Sequence, residues 1–188
     1  MKSNNRISVH YHNFLIGKGR KVRILETKSQ QDQLIRKHLQ QTTLPNPNGC
    51  EATSYPKGVC LIRESSNLEK TAHEWQKEFP TAIIKTINRE TNHQQQEAIN
   101  GYAEGKIDCH LLITSPTLST GIRTNGCFAL VILETTIHPD MPLTDDDIIQ
   151  CLTRDDNCND LVWRERKGNR IDSKQNQRFQ ISNPPTQE

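Results

Sequence analysis

The residues best equipped for chemistry stand together at 111–122. There the apolar run LLIT gives way abruptly to Ser115, Pro116, Thr117, Ser119, Thr120 and Gly121. A short apolar run ended by Pro and small hydroxyl side chains reads as a buried strand emptying into a loop. In open parallel sheets, ligands sit beyond the carboxyl ends of the strands. Hydroxyls and bare backbone amides are groups that meet phosphate, and at Gly121 a side chain would block close backbone approach. The rival reading is that Thr117 and Thr120 merely cap the next turn. Arg123 follows the loop, a second apolar run fills 128–134, and Gln150 and Arg154 come next on a predicted helix.

Elements to hold these residues recur along the chain. Apolar runs at 21–26, 58–63, 81–87, 109–114 and 128–134 read as strands, with another at 160–164. Helices are expected over 30–41, 67–79, 92–102 and from 144 onward. Ser29, Ser65, Ser66 and Asn92 are their expected caps. Thr144, with Asp147 three positions later, forms a capping box in which Asp stands for the usual Glu. Leu34, Ile35 and Leu39 make an apolar stripe on the first helix. Strands alternating with helices imply βαβ units, and so an α/β fold: a parallel sheet with helices on both faces and right-handed crossovers. Residues 1–20 read as a flexible arm, 21–56 as a strand, helix and loop, 57–169 as the main unit, and the polar stretch 170–188 as a disordered tail.

At 188 residues one domain is expected. Hydrophobic content is 32% and mean hydropathy −0.77, so a core must come from the clustered runs. A net charge of +2 excludes a global field driving the chain onto a polyanion, and any such contact must be local. The six cysteines form no CxxC pair and no zinc-like spacing, which points to reduced thiols in a cytoplasmic protein. No signal core or membrane-length apolar run is present. Asp145, Asp146 and Asp147 mimic metal ligands, but acidic residues in a first helical turn follow from the helix dipole. No metal site is predicted.

From about residue 57 to 169 the chain resembles the second RecA-like lobe of superfamily 2 helicases, a P-loop NTPase-type fold. The resemblance is nearest to plasmid and phage replication proteins and herpesvirus-type origin-binding helicases. It rests on Ser115-Pro116-Thr117-Leu118-Ser119-Thr120-Gly121-Ile122, on Phe128 opening FALVILE, and on Gln150-Cys151-Leu152-Thr153-Arg154-Asp155-Asp156 beside a Gln-x-x-x-Arg-x-Arg pattern. The strand at 59–62 with Arg63, Glu64, Ser65 and Ser66 resembles the first strand and loop of that lobe. The resemblance implies that Gln150 and Arg154 serve catalysis at a partner lobe's nucleotide. It also implies that Ser115, Thr117, Ser119, Thr120, Gly121 and Arg123 line a nucleic-acid or interlobe loop, and that Arg63, Ser65 and Ser66 contact nucleic acid. In such motors an arginine finger is worth several orders of magnitude in rate.

Departures are equally informative. The second arginine of the final motif falls on Asp156, and no G-x-x-x-x-G-K-[ST] phosphate loop occurs; Gly17-Lys18-Gly19-Arg20 lacks the following Ser or Thr. ATP and Mg²⁺ therefore enter only if a first lobe is supplied by a partner or a longer chain. The implied function is the second motor lobe of a nucleic-acid-dependent ATPase in DNA replication, inactive alone, with single-stranded DNA and a first lobe as partners. The alternatives are a non-catalytic nucleic-acid-binding or regulatory module on the same fold, and an unrelated small α/β enzyme.

Overall fold

Strand β3 (Gly58–Arg63) carries GVCLIR, with no polar alternation, because neither of its faces meets water. Val59 and Leu61 pack into one apolar cluster while Cys60 and Ile62 pack into another on the opposite face. The computed structural model describes residues 13–16, 20–43, 57–64, 67–88, 96–116, 123–136 and 143–166. Around β3 it builds one sheet from β1 (Asn13–Ile16), β2 (Arg20–Leu25), β4 (Ile84–Ile87), β5 (Leu111–Thr114), β6 (Phe128–Thr136) and β7 (Leu161–Arg166). The strand order is β1-β2-β7-β6-β3-β5-β4, and every pairing is parallel except β1 with β2.

Among the described residues, four helices cover the two faces. The cluster containing Val59 and Leu61 holds Ile35 and Leu39 of α1 (Lys28–Thr43) and Leu68 and Trp75 of α2 (Leu68–Glu78). The cluster containing Cys60 and Ile62 holds Ile99 and Tyr102 of α3 (Gln96–Ala103) and Ile148 and Leu152 of α4 (Asp145–Leu152). The chain moves across the sheet toward β4 when its crossover helix is α1 or α2, and back toward β1 when it is α3 or α4. That pairing of direction with face is what a single crossover hand requires. The expected architecture, a parallel α/β sheet with helices on both faces, is the one this chain adopts.

Several details differ from the sequence expectation. The first helix is capped by Thr27, whose hydroxyl accepts from the amide of Gln30, while the Gln30 side chain accepts from the amides of Glu26 and Thr27. The cap of α2 is Asn67, which accepts from the amide of Lys70. Strand β1 falls within 1–20, the segment expected as an arm. The strand and helix at 20–43, set apart from the main unit by sequence, belong to the same sheet: β2 runs parallel to β7 from Val22↔Leu161 to Leu25↔Arg164. The capping box is present as expected, with Thr144 accepting from the amide of Asp147 and the Asp147 carboxylate accepting in return. No helix among the described residues is long and apolar enough to cross a membrane.

Candidate functional site

Parallel register places three charged residues in one row at the carboxyl edge of the sheet. Arg63 of β3 stands opposite Glu134 of β6, and Glu134 opposite Arg164 of β7. All three lie on the face covered by α1 and α2, since Leu61, Ile132 and Val162 two residues earlier pack in that cluster. Arg166 sits two residues further along β7, within diagonal reach on the same face. The result is one carboxylate, 1% exposed, surrounded by three guanidiniums.

Glu134 Oε1 meets Nε of Arg63 at 2.9 Å and Nε of Arg166 at 3.0 Å. Its Oε2 meets Nη2 of Arg164 at 2.6 Å and accepts from Gln31 Nε2 at 2.9 Å. Gln31 closes the circuit by accepting from Arg164 Nε at 2.6 Å. Arg63 also donates to Thr71 of α2, and Arg166 donates to the Glu64 carbonyl at 2.8 Å. The Glu64 carboxylate accepts from both the amide and the hydroxyl of Thr136, each at 2.7 Å. Burial alone would raise the Glu134 pKa, yet the Gln31 hydrogen bond and the charges of Arg63 and Arg164 outweigh it and hold the group below its ordinary 4.5.

Topology marks the same spot. The carboxyl end of β3 leads to α2 on one face, while that of its neighbour β6 leads to α4 on the other. Chains leaving in opposite directions open a crevice between the two strands, and in open α/β sheets ligands bind in such crevices.

The amino edge is built around a different acid. Asp155, fully buried, accepts from the backbone amides of Gly126 at 2.8 Å, Phe128 at 2.9 Å and Asn157 at 3.0 Å. Gly126 has φ +71°, a conformation that favours glycine. The carbonyl of Arg154 accepts from Thr124, and that of Asp155 accepts from Arg20 at 2.8 Å. Asp155 thus ties the last loop to the start of β6. Nearby, His110 Nδ1 accepts from the amide of Ile83 at 2.8 Å, and burial lowers its pKa below the ordinary 6.5. A lowered histidine pKa means that the folded form prefers the neutral ring. Stability from His110 is therefore present above about 6.5 and falls as pH drops below it. Urea titrations of the wild type and His110→Asn between neutral and mildly acidic pH should show the variant losing less stability on acidification.

The sequence-predicted residues divide between the two edges. Ser115 lies at the carboxyl edge, directly after β5, and Arg63 at the same edge after β3. Thr117, Ser119, Thr120, Gly121, Ser65 and Ser66 fall outside the described residues. Arg123 stands at the amino edge, where its exposed guanidinium pairs with Asp156 at 2.8 Å. Gln150 is exposed near the end of α4, and Arg154 is buried beneath the amino edge at 9% exposure. Burial lowers the Arg154 pKa, partly offset by the neighbouring Cys151 and Cys60. Along β6, six residues separate Phe128 from Glu134, so the two edges lie roughly 20 Å apart.

Sequence reasoning missed Gln31, Glu134, Arg164 and Arg166. A signal existed for each: Gln31 interrupts the helical stripe completed by Ile35 and Leu39, Glu134 follows directly on the apolar run FALVIL, and Arg164 and Arg166 share one face of the last strand. Cys60, Cys109, Cys127, Cys151 and Cys158 are buried thiols. Burial pushes Cys127 and Cys158 up to about 11, which keeps them protonated and inert at neutral pH. Among the described residues, no group of three or more His, Cys, Asp or Glu is arranged to hold a metal ion.

No family model matches this sequence, and no curated protein matches it. Three solved structures align with it at low identity. The C-terminal part of the Fun30 ATPase domain aligns over 73% of this chain at 13% identity with a TM-score of 0.48, and this chain spans 39% of that one. The C-terminal domain of Saccharomyces cerevisiae Dbp5 (L327V), solved with Gle1 (H337R) and IP6, aligns over 76% at 14% identity and TM-score 0.44, with 73% of its own chain covered. The C-terminal domain of the DEAD-box protein Dbp5 aligns over 77% at 11% identity and TM-score 0.44, with 75% of its chain covered.

Proposed function

We propose that this chain is the second RecA-like motor lobe of a nucleic-acid-dependent ATPase acting in DNA replication, inactive by itself. The observation that carries the reading is the convergence of Ser115 and Arg63 on one carboxyl edge, at the ends of adjacent parallel strands β5 and β3. In this reading the edge receives single-stranded DNA through phosphate contacts, which position a strand without reading its sequence. In the same reading Thr117, Ser119, Thr120, Gly121, Ser65 and Ser66 also serve contact with the strand. Gln150 and Arg154 serve the nucleotide of a first lobe supplied by a partner or a longer chain, with ATP and Mg²⁺ bound there.

The purified chain is expected to show no ATP turnover with or without single-stranded DNA, and to bind a labelled oligonucleotide weakly with marked salt dependence. DNA-stimulated hydrolysis by the purified chain would overturn the claim that it is inactive alone. Thr117→Ala with Thr120→Ala should reduce both affinity and salt slope; if both are unchanged, these hydroxyls only cap a turn.

A second reading, a non-catalytic nucleic-acid-binding or regulatory module, draws on one observation. Arg154 is buried and its backbone is part of the amino-edge latch. With a first lobe in hand, Arg154→Ala should lower kcat far more than DNA affinity under the motor reading. Equal loss of both would favour the module.

A further inference from the structure

Neutralising a buried carboxylate takes one cation, and Glu134 has three. Adding guanidiniums around an already paired acid raises their mutual repulsion, so stability alone does not explain the number. Counting Glu64, the cluster holds, among the described residues, three positive groups against two negative ones. The three arginines are not equivalent. Arg164 is 6% exposed and is spent on Glu134 and Gln31, whereas Arg63 is 16% and Arg166 30% exposed. The Nε atoms of both outer arginines lie against Glu134 Oε1, Arg63 Nη1 donates to Thr71 and Arg166 Nη2 to the Glu64 carbonyl, so each fork keeps one terminal nitrogen, Nη2 of Arg63 and Nη1 of Arg166, without a protein partner among the described residues.

We infer that Arg63 and Arg166, braced by Glu134 and Arg164, form a seat for a phosphate oxyanion in the crevice at the carboxyl ends of β3 and β6, occupied by one phosphodiester of a single nucleic-acid strand. Two observations made independently coincide there, the surplus of guanidinium and the topological switch between β3 and β6. Planar guanidiniums held in place lose little freedom on binding, and the N–H groups of the remaining terminal nitrogen of each are charge-assisted donors to an oxyanion. Glu134 is then a positioning residue: it holds the forks and touches no ligand. Arg63 was a sequence expectation, while Arg166 and its brace emerge only from the fold. The phosphodiester as occupant rests on the motor-lobe reading; the oxyanion seat does not.

The test uses the full chain, a fluorescein-labelled oligothymidylate read by anisotropy at two salt concentrations, and inorganic phosphate read by thermal shift against chloride at equal ionic strength. Arg166→Gln should weaken oligonucleotide binding about tenfold, the loss of one charge-assisted contact, and reduce the salt slope by about one. Arg166→Lys should recover part of the affinity. Lys77→Gln, an equal charge loss on the exposed end of α2, should change neither. Arg63→Lys provides a second variant, with circular dichroism reporting that each retains the fold.

Equal weakening by Arg166→Gln and Lys77→Gln overturns the seat in favour of diffuse surface charge. Wild-type binding that survives both Arg166→Gln and Arg63→Lys overturns the seat while leaving the motor-lobe reading standing. If the oligonucleotide fails to bind but phosphate stabilises the wild type and not Arg166→Gln, the seat stands with free phosphate as its ligand and the motor-lobe reading falls. Absence of both effects overturns the seat.

Discussion

Glu134→Ala is expected to destabilise the protein by about 3–5 kcal/mol, because it strands guanidiniums that now share one buried counter-charge. For a chain of this size that is a fall in Tm of roughly 10 °C. The loss should appear in urea unfolding as a lower midpoint with an unchanged slope. Glu134→Gln keeps the shape and an acceptor for Gln31 and should fall between the two. The pH dependence has a defined sign. The folded-state pKa of Glu134 is held below 4.5, so its contribution is complete above about that pH and lost as pH falls through the lowered value. Glu134→Gln should accordingly flatten the acid limb of the stability profile. A Glu134→Ala protein that unfolds at the wild-type midpoint would remove the cluster from the account of how the carboxyl edge is held.

Asp155→Ala should be of comparable size at the opposite edge, about 3–4 kcal/mol. Three backbone amides lose their acceptor, two of them at the turn that launches β6. An unpaired buried N–H costs about 1–3 kcal/mol, reduced here where water can enter. Asp155→Asn retains one acceptor oxygen and should recover part of the loss. Hydrogen exchange offers a sharper readout than global stability: the amides of Gly126 and Phe128 should lose protection first, with those of β3 less affected. If exchange at those two amides is unchanged, the carboxylate is not their effective partner. For Arg154, next in sequence, the same measurement separates roles, because a variant that loosens this loop without a partner lobe present reveals structural work.

The two acids explain why the candidate residues could be found in part and placed only in part. The sequence argument groups Arg123 with Ser115 in one loop, yet Arg123 belongs with Arg154 to the amino edge, away from Ser115 and Arg63. β5 ends at one edge and the parallel β6 begins at the other, and no local pattern says at which edge a side chain between them stands. Arg164 closes the strand expected at 160–164 and Arg166 lies beyond it, and neither is singled out by sequence because an arginine earns a site only from what stands opposite.

By itself the sequence determined the alternation of elements and the capping box of the last helix, because these depend on neighbours within a turn or two. Unbroken apolar runs meant strands buried on both faces, and Thr144 with Asp147 meant a helix start, whatever the rest of the chain did. Tertiary structure alone decided that β5 inserts between β3 and β4, that β2 and α1 join the same sheet, and that Glu134 meets arginines 71, 30 and 32 residues away in sequence (134 − 63, 164 − 134 and 166 − 134). Strand order and register follow from how whole faces pack and from the hand of the crossovers. A periodicity of two or of 3.6 residues fixes which face a side chain shares, and the choice of neighbour across that face is made only when distant strands are brought side by side.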